Sequence, residues 1–304
     1  MVALRDYAIR KGINVPQSIQ ALDEAVSSKR NISGDDNATR LIWSENLPHA
    51  PLGVRPQRQV AEVVYFIGCV SSFYPRAYSI PQLLVQILEQ AGVEFATLGE
   101  GEWCCGYPLY VAGMRERLTE LAPHNVQQVR AVGARRVIFT CPSCYYTWAH
   151  LYPQVVDIAD IQLQHSTEFL AELMANNRLN LGPVEEVVTY HDPCDLGRKS
   201  GVYDAPREVL ARIPGLELRE MDANRENALC CGGGGDVEMS DPVVSKGVTE
   251  RRLAQVTATE ARYVVSACQQ CRRTLQDGIQ RHKIHVRAVD LTELVWRSVN
   301  AARA

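Results

Sequence analysis

Short apolar runs alternate with amphipathic stretches along most of the chain, and the alternation occurs twice. Residues 63–67 form an apolar run rich in β-branched and aromatic side chains that ends at Gly68-Cys69. A helical spacing of apolar positions follows over 80–90 and stops at Gly92. Residues 93–98 read as a strand, 115–132 as a helix, and 136–140 as a strand that runs straight into Cys141-Pro142-Ser143-Cys144. The second half repeats the scheme with strands at 186–190, 216–221 and 262–266. This pattern predicts an α/β fold of mostly parallel sheets with flanking helices. It also predicts two pseudo-symmetric lobes, 61–178 and 186–304, joined by the polar stretch 175–180. Residues 1–60 stand apart, with weak helical periodicity at 4–10 and 18–28 and a loop-like stretch at 31–37. They are expected to form a helical arm packed on the body; the alternative is a docking segment for a partner chain.

The duplication is sharpest in the cysteines. They lie at 69, 104, 105, 141 and 144, and again at 194, 230, 231, 268 and 271. The first set reads Cys-x34-Cys-Cys-x35-Cys-x2-Cys and the second Cys-x35-Cys-Cys-x36-Cys-x2-Cys, so equivalent positions differ by 125 to 127 residues. Tyr78 and Tyr203, Gly106 and Gly232, and Thr167-Glu168 and Thr292-Glu293 keep nearly the same offset. All ten cysteines fall just after expected strand ends, where open parallel sheets collect ligands. Ten thiols are therefore expected at two sites, one per lobe.

Charge narrows the function. Lys plus Arg is 32 against 35 Asp plus Glu, a net charge of -3, so there is no basic excess to neutralise phosphates and no nucleic-acid partner is expected. No apolar run approaches the roughly 20 residues that span a bilayer, which argues against direct membrane insertion. The first residues carry charge without an apolar stretch behind them, so a cytoplasmic, thiol-reducing setting is expected.

Four chemistries compete for five cysteines. A disulfide framework leaves one thiol over and suits the wrong compartment. A redox dithiol accounts for Cys141/Cys144 and Cys268/Cys271 but not for the adjacent pairs. Structural zinc wants four ligands and also leaves a surplus. Iron–sulfur ligation, with soft thiolates converging from several loops, fits best. Adjacent cysteines project differently, so the backbone must bend sharply to bring both to one site. Gly106, Gly232 and Gly233 supply that freedom and expose N–H groups toward the thiolates. No ferredoxin-type cysteine run occurs, so electrons are expected from a separate protein chain.

These residues resemble the cysteine-rich CCG domain. The tandem arrangement resembles the B-type catalytic chain of heterodisulfide reductase and the catalytic half of its membrane-linked D-type relative. The resemblance covers residues 61 to about 296 and includes all ten cysteines. It implies two non-cubane 4Fe–4S clusters, one held by the five cysteines of each lobe. It implies a disulfide between them, cleaved by two one-electron transfers with each sulfur captured at a cluster iron. It further implies a ferredoxin-like C-type electron donor, a flavin-containing A-type partner, and a small-molecule disulfide or protein-bound sulfur as substrate. In the methanogen enzyme that substrate is the mixed disulfide of coenzymes M and B; bacterial relatives use other sulfur compounds. About 60 residues precede Cys69 here, unlike the B-type chain, and residues 40–48 are similar to the segment joining the ferredoxin and CCG parts of the D-type chain. A bacterial-type homologue is therefore favoured. An electron relay without disulfide chemistry and a structural zinc protein are the alternatives.

Several further residues are weighed. His191 lies three positions before Cys194 and is placed to protonate a departing thiolate, although a structural turn with Asp192 capping local N–H groups is the plainer expectation. Arg76, Arg198 and Lys199 follow cysteines and are candidates for steering an anionic substrate. Tyr145, Tyr146 and Trp148 are expected to serve packing. His165, and Asp290 in the second lobe, read as helix starts.

Overall fold

The computed structural model describes residues 2–13, 15–54 and 60–303. Met1, Asn14 and residues 55–59 of the expected N-terminal arm, and the last residue of the expected second lobe, lie outside the described residues. Two four-stranded sheets, parallel throughout, form the body. The first contains β1 (Val63–Phe66), β2 (Phe95–Ala96), β3 (Arg136–Phe139) and β4 (Gln162–His165) in the order β2-β1-β3-β4. The second contains β5 (Glu186–His191), β6 (Leu216–Leu218), β7 (Tyr263–Ser266) and β8 (Arg287–Asp290) in the equivalent order β6-β5-β7-β8.

The helices are α1 (Val2–Arg10), α2 (Gln17–Lys29), α3 (Cys69–Phe73), α4 (Ser79–Gln90), α5 (Tyr107–Ala112), α6 (Leu118–Ala131), α7 (Pro142–Tyr146) and α8 (Ser166–Ala175) in the first half. In the second half they are α9 (Asp204–Ala211), α10 (Val237–Ser240), α11 (Pro242–Ala258), α12 (Gln269–His282) and α13 (Leu291–Ala301). The α/β class expected from the alternation is the one observed.

The central strands β1 and β7 are buried along their whole length, as expected of parallel strands covered on both faces. The strand expected at 93–98 shrinks to two residues, and that at 216–221 to three. The edge strands β4 and β8 have no signal in the apolar pattern. Their sequences, Gln-Leu-Gln-His and Arg-Ala-Val-Asp, are too short and polar to form an apolar run. Each is followed by a capped helix: His165 and Glu168 form a reciprocal capping box on α8, and Asp290 and Glu293 do the same on α13.

One apolar cluster runs through both sheets. It joins Tyr65, Leu84 and Phe169 of the first to Tyr190, Val209, Val265 and Val295 of the second. Pairs α4/α13 and α8/α9 meet across the pseudo-symmetric boundary. The N-terminal helices pack on the first lobe: Ile19, Leu22 and Val26 of α2 share a cluster with Cys69, Cys104, Leu109 and Leu121.

Candidate metal centres

In an order that places β1 between β2 and β3, the chain leaves β1 and β3 toward opposite faces and opens a crevice at their carboxyl ends. Cys69 starts α3 just after β1, and Cys141 and Cys144 flank the start of α7 just after β3. In the second sheet Cys194 follows β5, while Cys268 and Cys271 lie at the start of α12 after β7. The adjacent pairs come in on the long loops after β2 and β6.

This brings all ten thiols into two sets with one connectivity. In the first lobe the thiols adjoin one another in a chain, Cys69 to Cys104, Cys104 to Cys105, Cys105 to Cys144 and Cys144 to Cys141, each shifting its neighbour's titration. In the second the chain runs Cys194 to Cys230, Cys230 to Cys231, Cys231 to Cys271 and Cys271 to Cys268, with Cys231 and Cys271 hydrogen-bonded at 3.2 Å between sulfurs. The ten cysteines are unpaired as disulfides.

The bends that make this possible are glycine bends. Gly106 and Gly232 have φ of 90° and 92°, and their N–H groups donate back to Cys104 (3.4 Å) and Cys230 (3.3 Å). The Gly233 N–H donates to Cys231 at 3.5 Å.

Shared protons dominate the electrostatics of these sets. Cys105 accepts from Cys104 and Cys144 and is pulled down to about 6. Cys69 is pushed well up, first because it donates to Cys104 and then by burial. Cys194 is likewise raised by donating to Cys230, and Cys230 is lowered in turn. A buried quintet cannot shed all its protons without a compensating positive charge. Five soft donors, several backbone N–H groups and little access to water fit a thiolate-ligated iron–sulfur group. A closed four-ligand zinc site would leave one thiol per lobe unused.

Each lobe also places a buried arginine at its thiols, which sequence reasoning missed. Arg40, fully buried in the N-terminal segment, pairs with buried Glu102 at 2.8 Å and reaches the Cys69 sulfur at 3.9 Å. Glu102 in turn accepts the Ile67 and Gly68 N–H groups, both at 2.8 Å, and so holds the turn that presents Cys69. The Ile32 backbone N–H donates to Cys69, and Cys104 N–H donates to the Arg30 carbonyl at 2.7 Å. In the second lobe the buried cation is Arg252, whose Nε donates to His191 Nδ1 at 3.0 Å.

His191 is accordingly a buried, neutral imidazole. Burial first, and then Arg252, lower it to about 3. One of its ring nitrogens lies within 4.8 Å of the Cys231 and Cys271 sulfurs. Asp192 is structural, but it does not cap local N–H groups as expected: it accepts from the distant Arg225 N–H at 2.9 Å and from the Arg207 side chain at 2.8 Å. Arg76 is bound to Asp277 across the lobes. Arg198 donates to the Glu226 and Ala228 carbonyls. Lys199 bonds Asp195 and the Tyr107 hydroxyl, each at 2.7 Å. These partners account for all three cations. Trp148 is fully buried against Phe66, Phe139 and Tyr152, the packing role expected of it.

Between the lobes lies a cavity of about 450 Å³. All five first-lobe cysteines line it, but only Cys268 of the second set does, together with the glycines 233–235. Its other walls include Leu22 and Ile32 of the N-terminal segment, Tyr74, Tyr107, and Asp236, Glu238 and Arg273. Arg273 is already bonded to Glu238 at 2.6 Å.

A duplicated α/β body with a cysteine quintet at each crevice defines the class of protein. The cysteine-rich CCG domain matches residues 63–148 and again 188–276, and the chain belongs to this family. It is 35% identical over 298 residues to the D-type chain of the dihydromethanophenazine:CoB–CoM heterodisulfide reductase of Methanosarcina mazei, covering 96% of this chain and 71% of that one. It is 28% identical to a probable iron–sulfur-binding oxidoreductase of Bacillus subtilis, covering 99% of this chain and 44% of that one. Among solved structures, a hypothetical protein from Helicobacter pylori superposes with a TM-score of 0.60 at 12% identity, over 92% of this chain and 56% of that one, a likeness of fold alone. Among the described residues, no helix is long and apolar enough to cross a membrane.

Proposed function

We propose that this chain is the iron–sulfur, disulfide-handling component of a heterodisulfide-reductase-like complex. Cys69, Cys104, Cys105, Cys141 and Cys144 would hold one non-cubane 4Fe–4S group, and Cys194, Cys230, Cys231, Cys268 and Cys271 the other. When bound, these groups supply single electrons from two sides to a two-electron cleavage, or accept them in the reverse direction. Electrons would reach them from a ferredoxin-like partner, itself supplied by a flavin-containing one.

The observation that carries the reading is the inter-lobe cavity, lined by all five first-lobe cysteines and by Cys268 of the second set. Its volume is that of a site for a small organic molecule. Tyr74, Leu22 and Ile32 give it an apolar side that excludes water, and the N-terminal segment closes it over the first quintet. Arg40 holds positive charge at Cys69 and stabilises a thiolate there. Tyr107 and Ser143 both donate to Asp195, at 2.9 and 2.6 Å, and fix the lobes on either side. The work of the protein is positioning.

The test is a titration of the anaerobically prepared, iron-loaded chain with small disulfides while its paramagnetic spectrum is followed. Perturbation of the signal by at least one disulfide is expected. Unchanged spectra at saturating concentrations of several disulfide classes would instead favour an electron relay. One observation favours a second reading, a mixed nitrogen–sulfur metal site in the second lobe: the approach of His191 to Cys231 and Cys271. Zinc bound without acid-labile sulfide would establish it.

A further inference from the structure

Reductive cleavage of a disulfide consumes protons as well as electrons, and the quintets carry none to spare once they hold metal. His191 is removed from the role by its bond to Arg252 and by its absence from the walls of the inter-lobe cavity. The structure holds one other group suited to it.

Asp236 follows the glycine run 232–235 in a left-handed conformation, φ 64°, which turns its side chain inward just before α10. It lines the inter-lobe cavity. It also lines a second, mainly apolar cavity of about 170 Å³ beneath the N-terminal arm, walled by Arg5, Ile9, Val15, Ile19 and Ala112. No other described residue borders both. Its Oδ2 is buried without a hydrogen-bond partner. Burial raises the carboxyl to about 7, with Arg5 of α1 pulling it partly back. The other titratable groups around it are Tyr107 of α5 and, on α10, Glu238, which is held by Arg273 of α12. No cation forms a direct bond to it among the described residues.

We propose that Asp236 is the proton donor of the inter-lobe cavity, passing a proton taken up on the arm side to a sulfur of the substrate as its S–S bond breaks. The role rests on the disulfide reading above. The balance is R–S–S–R′ + 2 e⁻ + 2 H⁺ → R–SH + R′–SH. The electrons come singly from an iron–sulfur electron-donor protein, and the groups that the two thiol sets would hold would relay them. One proton comes from Asp236, which is recharged from solvent through the arm-side cavity. The other is taken from water as the second thiolate leaves. A neutral carboxylic acid kept beside a reacting sulfur is general acid catalysis, and its working range is near its own titration point.

The test uses the full iron-loaded chain, reduced methyl viologen as one-electron donor and bis(2-hydroxyethyl) disulfide as substrate. Asp236→Asn is expected to slow turnover by about 10²- to 10⁴-fold and to abolish the fall in rate that the wild type shows above neutrality. Asp236→Glu is expected to restore part of both. Independently of turnover, infrared spectra of the loaded protein should show a carboxylic-acid band that titrates near neutrality and is missing from the Asn variant. A loaded Asp236→Asn variant with the wild-type rate and pH profile would overturn the inference while leaving the disulfide reading intact. A wild type that shows the titrating band yet cleaves no disulfide would overturn that reading, and the donor role with it.

Discussion

At the scale of single residues, the thiols were legible and their supports were not. The spacing of ten cysteines announces two quintets because each cysteine follows a strand end. Arg40 and Glu102 lie 62 positions apart, and no local pattern connects an arginine in a short 3-10 turn with a glutamate beside Cys104. A buried pair of this kind is costly to break from one side, since the survivor is left charged and desolvated. Arg40→Met is therefore expected to cost about 3–5 kcal/mol in chemical denaturation, with most of the loss recovered in Arg40→Met/Glu102→Met. A single variant within about 1 kcal/mol of wild type would show the pair to be no stronger than a surface one.

His165 and Asp290 occupy equivalent helix starts yet titrate in opposite senses. Burial lowers His165 from 6.5 to about 3, so its contribution is intact above 6.5 and is lost as pH falls toward 3. Burial raises Asp290 from 3.8 to about 6, so its contribution is intact below 3.8 and is lost as pH rises to 6. Unfolding free energies between about pH 4 and 6 should thus decline less steeply with rising pH in Asp290→Asn than in wild type. Parallel curves would contradict the assignment.

At the scale of elements, the sequence supports the central strands well and the edges poorly. The strands β1 and β7 are continuous apolar runs because both of their faces are covered, whereas β4 and β8 carry polar residues at an edge. Their only advance signal is the repeated Thr-Glu, which marks the helix that follows each. The glycine after each cysteine pair was legible for the bend, but its surroundings were not. A Cβ on Gly232 would come 2.4 Å from the Ser245 carbonyl oxygen, which is backbone, whereas one on Gly106 meets the end of the Leu118 side chain at 2.6 Å. Both substitutions to Ala force a left-handed conformation worth roughly 1–3 kcal/mol. Gly232→Ala should therefore lower Tm clearly more than Gly106→Ala. Equal losses would mean that the Ser245 backbone yields freely.

At the scale of the whole molecule, two halves of related sequence share one core through α4/α13 and α8/α9. Unfolding should be a single transition by fluorescence and circular dichroism alike; two resolved transitions would mean that the halves are separable. The two thiol sets are distinct places within that one body, so if each holds an iron–sulfur group, as proposed, Cys105→Ser should remove the first-lobe paramagnetic signal and spare the second. The inter-lobe cavity could not be read from the sequence, because its walls come from the N-terminal segment, the five first-lobe cysteines, the second-lobe loop around 233–236 and the start of α12.

The decisive measurement is metal and acid-labile sulfide analysis of the anaerobically purified chain. About eight iron and eight sulfide per chain, with a paramagnetic signal assignable to each lobe, is the expected result. About two zinc and no sulfide would contradict it.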